Sequence, residues 1–500
     1  MKKLNNPILM SLLWGLWLIS CQAEKPQEVA EKPLSRPNVL FIAVDDLNDW
    51  LGCMKGHPNA KTPHMDKLAS EGVLFTNAHC QAPLCGPSRA SLMTGLRPST
   101  TGIYGMIHDD SIRNSANSET KDILFLPEYF KVQGYHTMGI GKLFHQHSPQ
   151  GLFDESGSRS KGFGPSPEKR FVWDGFAPDR ENYGRTSTDW GAYPEADSLM
   201  PDHHSADWAI ERLGKDYDKP FFLGVGFLRP HVPLYVPQKW FDMHPVENIE
   251  LPPYKADDLA DVPPVALQIN DLPMMPSTQW AIESGEWKNI IQAYLACVSF
   301  VDHEVGRVLT ALRNSKHAEN TVIVLWSDHG YRLGEKETFA KHALWEEATN
   351  APLIFAAPNA KKGQVVDAPV EMLSIYPTLL ELCNLPAYEK NEGRSLAGVI
   401  EGKDISTQDF TALTTFGMNN HAVRTRDFRY IRYEDGEEEL YSKATDPNEW
   451  ENQSDHPDMQ EDKAKLKTLL PEKNARWDRN SQYTFQPYFV EQKARTSLVE

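Results

Sequence analysis

The stretch NVLFIAVDD, residues 38–46, combines a continuous apolar run with two acidic residues at its end, Asp45 and Asp46. Similar apolar runs occupy residues 221–227, 321–326 and 353–357. Strands that are apolar on both faces are typical of a parallel sheet whose two faces are covered by helices. The four runs therefore predict the central strands of such a sheet.

Helical patterns separate these runs along the chain. A short helix is predicted over residues 63–70, and residues 290–312 repeat apolar side chains at the spacing of an amphipathic helix. Alternating strands and helices indicate an α/β domain, which we expect to span residues 37–386. Within it, residues 151–202 are rich in Gly, Pro, Ser and aromatic residues without periodicity, which predicts long loops over the sheet.

The chain changes character beyond residue 386. Short strand patterns follow one another there, at residues 410–416, at residues 422–433, and at Leu440-Tyr441 after a turn over 434–439. A helical pattern lies near residues 462–470. We therefore expect a smaller C-terminal subdomain over residues 387–500, built as an antiparallel α+β unit.

The N-terminus has the pattern of a targeting signal. Residues 2–19 combine two lysines with a short apolar stretch, which is typical of a secretory signal and too short for a membrane span. The sequence Leu18-Ile19-Ser20-Cys21 resembles the bacterial lipoprotein signal, in which the cysteine is lipidated. We expect a signal peptide over 1–20, a lipidated Cys21 and a polar tether over 21–36. The protein would then be anchored in a bacterial envelope, on the outer membrane facing the periplasm or the cell surface. Ordinary cleavage is the alternative.

Charge and cysteine content narrow the function classes. Among 500 residues, 51 are Lys or Arg and 69 are Asp or Glu, so the formal net charge is −18. This argues against a nucleic-acid-binding protein, because phosphate backbones are held by positively charged surfaces. An anionic substrate must be bound by a few locally placed cations. The 6 cysteines are too few for a disulfide scaffold, and we expect Cys53, Cys80, Cys297 and Cys383 to be free buried thiols.

Two of the predicted strands are followed by residues of the types that bind metals in proteins. Asp45 and Asp46 follow the first run, and Asp328 and His329 follow residues 321–326. Ligands bind at the carboxyl ends of strands in open parallel sheets. Three carboxylates gathered there repel one another unless a cation lies among them; their oxygens favour Ca²⁺ or Mg²⁺, and the imidazole leaves Mn²⁺ open. The alternative is that these residues only end strands as turn formers.

A third segment, LCGPSRASLMTG from Leu84 onward, places a cysteine at the start of a helix. Pro87 begins the helix, so Cys85 lies at its N-terminus, where free N–H groups and the helix dipole favour an anion. Arg89, one turn along, can reach the same anion with a planar set of donors. The alternative is that Cys85 is a small buried residue and that Ser88 caps the helix.

The segment Cys85-Gly86-Pro87-Ser88-Arg89, followed by Thr94-Gly95, resembles the signature of type I sulfatases of the alkaline-phosphatase superfamily. Further motifs of that family are matched in the expected order at residues 45–46, 134–145, 327–330, 370–381, 393–396 and 439–447. The resemblance covers roughly residues 37–450. It implies an alkaline-phosphatase-like fold, with a large mixed, mostly parallel sheet sandwiched by helices. It also implies that a formylglycine-generating or anaerobic sulfatase-maturing enzyme oxidises Cys85 to formylglycine.

Within the family, the chain most resembles the iduronate-2-sulfatase branch, at residues 221–223, 229–233 and 327–341. Many sulfatases have Asn where this chain has His329. By position, the resemblance implies a calcium site formed by Asp45, Asp46, the modified Cys85, Asp328 and His329. It implies contacts to sulfate and formylglycine from Arg89, Lys142, His145, His231 and Lys341.

The implied mechanism gives several of these residues a proton-transfer role. Asp328 takes the proton of the attacking hydroxyl. His231 or Lys341 protonates the departing alcohol, because a sugar alkoxide is a poor leaving group. His145 is the base for the elimination that releases the bound sulfate.

Together these features predict a calcium-dependent sulfatase acting on a sulfated polysaccharide or its oligosaccharides. An ulvan-like algal polymer or a glycosaminoglycan is expected, with a 2-O-sulfated uronate as a candidate sugar. Further candidates for its substrate pocket are Arg332, His342, Trp345 and Arg424. A phosphonate or phosphate ester hydrolase of the same superfamily is the enzymatic alternative, and an inactive glycan-binding lipoprotein is the non-enzymatic one.

Overall fold

The computed structural model describes residues 36–115, 117–159, 162–173, 175 and 186–497. The expected signal peptide, the lipidated Cys21 and tether residues 21–35 lie outside these ranges. Among the helices within them, none has both the length and the apolar character that crossing a membrane requires.

The strands of the described chain are β1 (Asn38–Val44), β2 (Val73–Phe75), β3 (Ala78–His79), β4 (His136–Gly141), β5 (Glu155–Ser158), β6 (Trp190–Ala192), β7 (Phe221–Phe227), β8 (Leu234–Val236), β9 (Thr321–Ser327), β10 (Leu353–Ala356), β11 (Gln364–Val366), β12 (Val370–Glu371), β13 (Ala412–Thr415), β14 (His421–Arg424), β15 (Phe428–Arg432) and β16 (Glu438–Ser442).

The α-helices are α1 (Pro63–Glu71), α2 (Cys85–Thr94), α3 (Pro98–Thr101), α4 (Leu126–Val132), α5 (Pro201–Leu213), α6 (Gln238–Asp242), α7 (Pro264–Asn270), α8 (Thr278–Ser284), α9 (Trp287–Arg313), α10 (Glu346–Thr349), α11 (Ile375–Leu382), α12 (Ala397–Ile400), α13 (Gln460–Lys467) and α14 (Pro487–Thr496). Short 3₁₀ segments lie at Asp109–Asn114, Ser118–Thr120, Asp197–Leu199, Val246–Asn248, Ala318–Asn320, Glu335–Glu337, Met372–Ser374 and Pro457–Met459.

The central sheet has eight strands in the order β11-β2-β10-β9-β1-β7-β4-β5. β1 pairs in parallel with both β9 and β7, and β4 pairs in parallel with β7 and β5. β10 is antiparallel to both of its neighbours, β9 and β2. The parallel direction expected for residues 353–357 is therefore wrong. The segment between β9 and β10 contains a short 3₁₀ segment and the single-turn helix α10, and neither is long enough to return the chain to the opposite end of the sheet.

The buried core lies on both faces of this sheet. Along β1, every residue from Val39 to Val44 has 0% exposed surface. Leu40, Ile42 and Val44 pack into the cluster that contains α9, whereas Val39, Phe41 and Ala43 pack into the cluster that contains residues of α2, α4 and α11. The prediction of a mixed, mostly parallel sheet between helices is confirmed.

The C-terminal part contains the predicted antiparallel sheet. Its strands follow the order β13-β14-β15-β16, and α13 packs against them through Leu466. Helix α14 is not predicted by the sequence pattern. Its Phe489 is fully buried in a cluster that also contains Trp477 and Phe416, so packing against residues distant in the chain stabilises this helix.

The loops expected at residues 151–202 contain regular structure that the sequence does not signal. β5 pairs in parallel with β4, and β6 pairs in parallel with β8. Both strands are only three or four residues long, which is too short to show a period in the sequence. The prediction of long loops over residues 151–202 is corrected by these two strands.

Two glycines of β7 face the segment that follows β4. A Cβ added to Gly226 would lie 2.3 Å from the carbonyl carbon of Lys142, which is backbone. A Cβ added to Gly224 would first meet Cδ1 of Leu143, at 2.7 Å, which is the end of a flexible side chain. Only the absence of a side chain at Gly226 lets the backbone of Lys142 approach this strand.

We expect Gly226→Ala to lower the free energy of unfolding by about 1–3 kcal/mol, because the backbone of Lys142 must move to avoid the new methyl group. Gly224→Ala is the matched control and should cost less, because the Leu143 side chain can rotate. Urea denaturation of both variants measures the difference. Equal losses would show that the close approach at Gly226 does not constrain this end of the sheet.

Candidate functional site

The candidate residues lie at the carboxyl ends of neighbouring strands. β9, β1, β7 and β4 are adjacent and parallel, so their carboxyl ends meet at one edge of the sheet. Asp45 and Asp46 follow β1, Asp328 and His329 follow β9, and Lys142 follows β4. The structure therefore brings together the acidic residues that the sequence analysis placed at two distant strand ends.

Asp46 joins two of these strand ends through its backbone. Its φ of 60° lies in the left-handed region, and its N–H donates to Oδ1 of Asp328 at 3.2 Å. The hydroxyl of Tyr294, on α9, donates to the carbonyl oxygen of Asp46 at 2.8 Å and accepts from the N–H of Asn48 at 2.9 Å. Hydrogen bonds from two other elements thus hold the turn after β1 in its unusual conformation.

Helix α2 presents Cys85 to this edge. Leu84 has extended backbone before the helix, and Gly95 ends it with a φ of 76°. Cys85 is 1% exposed. Ser88 does not cap the helix; its Oγ donates to the carbonyl oxygen of Asp328 at 2.6 Å. The N-terminal turn is therefore fixed to the end of β9.

The guanidinium of Arg89 is fully buried and surrounded by protein acceptors. Nε donates to Oδ2 of Asp328 at 2.8 Å, and Nη2 donates to Oδ1 of Asp45 at 3.1 Å. Nη1 donates to the carbonyl oxygens of Lys142 and Leu143. Arg89 therefore neutralises two carboxylates and fixes the segment after β4. Because all three of its nitrogens bond protein acceptors, it would affect a bound anion indirectly, through the groups that it holds.

Two lysines pair with the aspartates from opposite sides. Lys142 Nζ donates to Oδ2 of Asp45, and Lys341 Nζ lies 2.7 and 2.8 Å from the two carboxylate oxygens of Asp46. Burial opposes ionisation of Asp45, but Lys142 and the other cations outweigh it and hold its pKa well below the usual range. Burial also opposes the charge of Lys341, and the Asp46 carboxylate outweighs it, so the pKa of Lys341 lies well above its ordinary value.

Asp46 and His329 have pKa values that depart from their usual range. Burial raises the pKa of Asp46 to about 7; Lys341 works against the rise, and Cys85 and Asp45 add to it. Burial disfavours the charged form of His329, but Asp328 and Cys85 outweigh burial and raise its pKa to about 9. Both shifts arise where carboxylates and a thiol are gathered in a buried place, and a divalent cation would be stabilised there.

Cys85 lies between these two residues. Its Sγ is 3.2 Å from Nε2 of His329 and 3.8 Å from Oδ1 of Asp46. Nδ1 of His329 is 3.0 Å from the carbonyl oxygen of Gly330, so Nδ1–H donates there, and Nε2 becomes a ligand atom when a cation displaces its proton. Burial raises the pKa of the Cys85 thiol, but Lys142 and Lys341 outweigh burial and leave it below the ordinary value.

The donor atoms fit a divalent cation. Ligand atoms of Asp45, Asp46, Cys85 and His231 lie within 4.8 Å of one another, and so do those of Cys85, Asp328 and His329. Carboxylate oxygens with one imidazole suit a hard cation such as Ca²⁺ or Mg²⁺. The side chains that the sequence analysis named as metal ligands therefore converge around Cys85.

His231 and His145 complete the surroundings of Cys85. Nε2 of His231 is 4.0 Å from Oδ2 of Asp46, and the ring of His231 stacks on Phe163 with 4.5 Å between centroids. Burial and the nearby lysines hold the pKa of His231 well below its ordinary value. Burial, followed by Lys142, lowers the pKa of His145 to about 3. Both imidazoles are therefore neutral at neutral pH.

The sequence analysis missed three residues that position this site. The carboxylate of Asp109 accepts the backbone N–H groups of His145, Gln146 and His147 at 3.3, 2.7 and 3.0 Å. Phe163 packs on His231, and Tyr294 holds Asp46. None of these residues belongs to a recognised motif. Each contacts a residue that is distant in the chain, so no local sequence pattern could have identified them.

The C-terminal segment also reaches the site. Met106 and Gln482 form an antiparallel bridge, which places the buried ring of Tyr483 against His342, with 5.8 Å between centroids. In the described part of the chain, the hydroxyl of Tyr483 and Nδ1 of His342 have no hydrogen-bond partner. The pocket role of His342 stays a prediction, and Tyr483 is a residue that the sequence analysis did not consider.

The other pocket candidates form hydrogen bonds to groups of the protein itself. Arg332 donates to Asn270 and to the carbonyl oxygens of Ala340 and Lys341. Trp345 donates to the carboxylate of Glu439, in β16, and Arg424, in β14, donates to the carboxylate of Glu346, in α10. Arg332 thus holds the segment that carries Lys341, and the other two connect the C-terminal sheet to α10.

The cysteines of the described chain are free. Cys53, Cys80, Cys85, Cys297 and Cys383 form no disulfide, and all except the partly buried Cys53 are buried. The prediction of free thiols is confirmed, and Cys80 does not pair with Cys85.

Comparison with known proteins agrees with this geometry. The family model described as Sulfatase matches residues 37–385, and one described as N-sulphoglucosamine sulphohydrolase, C-terminal, matches residues 334–476. A sulfatase of Formosa agariphila is 63% identical over 490 residues, which cover 97% of this chain and 96% of that protein. Human iduronate 2-sulfatase is 34% identical over 396 residues, covering 74% of this chain and 68% of the human protein.

A second Formosa agariphila protein, named ulvan-active sulfatase, is 29% identical over 485 residues, covering 93% and 86% of the two chains. Among solved structures, that of BT4656 in complex with its substrate D-glucosamine-2-N,6-O-disulfate superposes with a TM-score of 0.68, at 23% identity over 87% of this chain and 97% of the other. The phosphonate monoester hydrolase SpPMH from Silicibacter pomeroyi gives a TM-score of 0.69 at 21% identity, over 87% and 94%. These structural likenesses show the fold. The match of the family model to residues 37–385, with the relatives of 63% and 34% identity, shows that this chain belongs to the sulfatase family, the sulfuric ester hydrolases.

Proposed function

We propose that this sulfatase hydrolyses sulfate esters on the sugars of a sulfated polysaccharide or its oligosaccharides, with a formylglycine made from Cys85 as the nucleophile. The observation that carries the proposal is the position of Cys85 at the start of α2, 3.2 Å from His329 and beside the carboxylate of Asp46. A sulfate ester that approaches Cys85 meets Lys142 and Lys341, which supply positive charge in an otherwise acidic protein.

Cys85 must be converted by a maturing enzyme before the chain can act in this way. Oxidised and hydrated, the residue would supply two geminal hydroxyls, of which one attacks sulfur and the other allows the bound sulfate to leave by elimination. The free state of Cys85 supports this proposal, because a disulfide would have blocked the oxidation. The lowered pKa of its thiol favours the reactive thiolate.

Asp45, Asp46, Asp328 and His329 are proposed to hold one Ca²⁺ ion next to the modified residue. The ion would lower the pKa of the attacking hydroxyl and polarise the sulfate oxygens. The buried carboxylates of Asp45, Asp46 and Asp328 are balanced by Arg89, Lys142 and Lys341. A divalent ion would leave excess positive charge in the pocket, which an anionic sulfate ester and an ionised nucleophile would neutralise.

The proton-transfer roles follow from the charges of the residues. Asp328 lies 3.7 Å from Nε2 of His329 and is ion-paired with Arg89, and we propose it as the acceptor of the nucleophile's proton. Lys341 is protonated and faces Asp46, so it can donate a proton to the leaving oxygen. His231 becomes a donor only if the substrate's negative charge raises its pKa. Neutral His145 is suited to accept the proton during elimination.

The proposed substrate class rests on the relatives and on the space beside the site. The named relatives act on iduronate, ulvan and a sulfated glucosamine. A cavity of about 810 Å³, lined by Phe163, Arg170, Pro233 and Tyr235 among others, adjoins the Phe163–His231 stack. It is large enough for several sugar rings. A 2-O-sulfated uronate in ulvan or a glycosaminoglycan remains our specific candidate.

The location of the enzyme is part of the same proposal. We propose that Cys21 is lipidated and anchors the protein in a bacterial envelope, on the outer membrane. Support comes from the lipoprotein-like segment Leu18-Ile19-Ser20-Cys21 and the Glu-, Lys- and Pro-rich residues that follow it. An enzyme held there would meet polysaccharides too large to enter the cell.

We expect Cys85→Ala to abolish sulfate release from sulfated oligosaccharides while the far-ultraviolet circular dichroism and thermal midpoint stay close to those of the wild type. Cys80→Ala is the matched control, because Cys80 is also buried and free, and should keep its activity. Mass spectrometry of the peptide that spans Cys85, from the native host, should show the aldehyde. Retained activity of Cys85→Ala contradicts the mechanism, and faster release of phosphate than of sulfate from the same sugar favours the phosphohydrolase alternative.

Ca²⁺ should stabilise the metal-free protein at about pH 8, where Asp46 is ionised; at 100 times the dissociation constant, the gain is about 2.7 kcal/mol. The thermal midpoint should therefore rise by a few degrees, and Asp46→Asn should remove the rise. Asp302→Asn is the control, because Asp302 is also buried but bonds the N–H groups of His64 and Met65. An unchanged rise in Asp46→Asn would place the ion elsewhere, for example among His108, Asp110 and His147.

The loss of kcat on removal of the proton donor should depend on the leaving group of the substrate. We expect Lys341→Ala to lower kcat on a sugar sulfate by about 10²–10⁴-fold, and on an aryl sulfate much less, because a phenolate leaves without protonation. His231→Ala measured on the same two substrates shows which residue is the donor. Equal losses of kcat on both substrates in both variants would contradict proton donation by either residue.

A further inference from the structure

Arg159 is a cation beside the site that has no anionic partner in the described part of the chain. It directly follows β5 and is partly buried. Its Nη1 donates to the carbonyl oxygens of His145 and of Gln146, the latter at 3.0 Å. Its buried Nε has no hydrogen-bond partner. The site's other cations, Arg89, Lys142 and Lys341, are all paired with aspartates.

A guanidinium in this state is poorly satisfied. Burial of a charge is unfavourable unless the charge is paired and its donors are bonded. Burial lowers the pKa of Arg159, and Asp45 and Cys85 act in the opposite direction, so the guanidinium lies within electrostatic reach of the nucleophile. Two neutral carbonyl oxygens do not balance its charge.

The position of Arg159 is fixed relative to His145. Asp109 holds the backbone of residues 145–147, and Arg159 bonds two carbonyl oxygens of that same segment. The guanidinium therefore stands next to the proposed sulfate pocket but makes no bond to the carboxylates that line it. Planar guanidinium groups with free donors match carboxylates and sulfates.

We propose that Arg159 binds a second anionic group of the substrate, next to the sulfate that is cleaved, and so selects glycans with two neighbouring negative charges. The inference rests on the proposed function and specifies its substrate class. The second group is either the carboxylate of a uronic acid or a second sulfate, and both offer two anionic acceptor oxygens that a guanidinium can bind in a bidentate manner.

The test uses the mature, Ca²⁺-loaded enzyme and two pairs of substrates. The first pair is a sulfated disaccharide that contains a uronic acid and the same disaccharide with its carboxyl group reduced to an alcohol. The second pair is a disulfated and a monosulfated form of one neutral disaccharide. For each pair, the ratio of the two kcat/KM values measures selectivity for the second anion.

We expect Arg159→Gln to lower this ratio about 10- to 100-fold for one of the pairs, because a charge-assisted hydrogen bond to the second anion is lost. The pair that responds identifies the anion as a carboxylate or a sulfate. Arg159→Lys should restore part of the ratio, since it keeps the charge but not the planar donors. Arg212→Gln is the control, because Arg212 already pairs with Glu155 of β5, and should leave both ratios unchanged.

If both ratios are unchanged in Arg159→Gln, whether or not total activity falls, the proposal is overturned and Arg159 only holds the segment that carries His145. If the wild-type enzyme hydrolyses none of the four disaccharides but still cleaves an aryl sulfate, the glycan substrate is wrong, and with it the proposal that depends on it. The ratio separates recognition from folding, because a loss of stability lowers both kcat/KM values of a pair together.

Discussion

The guanidinium of Arg89 joins Asp45 and Asp328, and the rest of the site is arranged around that buried ion pair. The two carboxylates end neighbouring strands, and Arg89 lies 239 residues before Asp328 in the chain. Its remaining donors fix the backbone after β4. One side chain therefore sets the relative positions of three strand ends and of α2, whose first residue is Cys85.

Such a concentration of buried charge is tolerated because every member is compensated. Isolated ions in a protein interior are strongly unfavourable, and an ion pair offsets this cost only when the remaining donors are also bonded. Asp45 pairs with Arg89 and Lys142, and Asp46 pairs with Lys341. Asp328 pairs with Arg89 and accepts the N–H of Asp46. The network holds the side chains in one geometry before any ligand arrives. Preorganised charges of this kind are what a reaction that develops negative charge requires.

Parts of the chain far from the signature segments complete the pocket. Asp109 holds the segment around His145, Phe163 stacks on His231, and Tyr483 comes from the C-terminal end. These residues do not belong to the motifs that the sequence analysis identified. Side chains outside the motifs thus surround the candidate site, in a family whose named members include an iduronate 2-sulfatase and an ulvan-active sulfatase.

The sequence by itself determined the parts of this protein that depend on local pattern. Apolar runs such as residues 38–44 specify buried strands, the periodicity around α9 specifies its helix, and the segment around Cys85 specifies a helix start. Because parallel strands align their carboxyl ends, the convergence of Asp45 and Asp328 also followed from the pattern. The antiparallel direction of β10, the pairing of the short strands β5 and β6, and α14 depend on partners distant in the chain. The same holds for Asp109, Phe163 and Arg159, whose surroundings exist only after the chain has folded, since hydrogen bonds and burial, not residue type, give these side chains their roles.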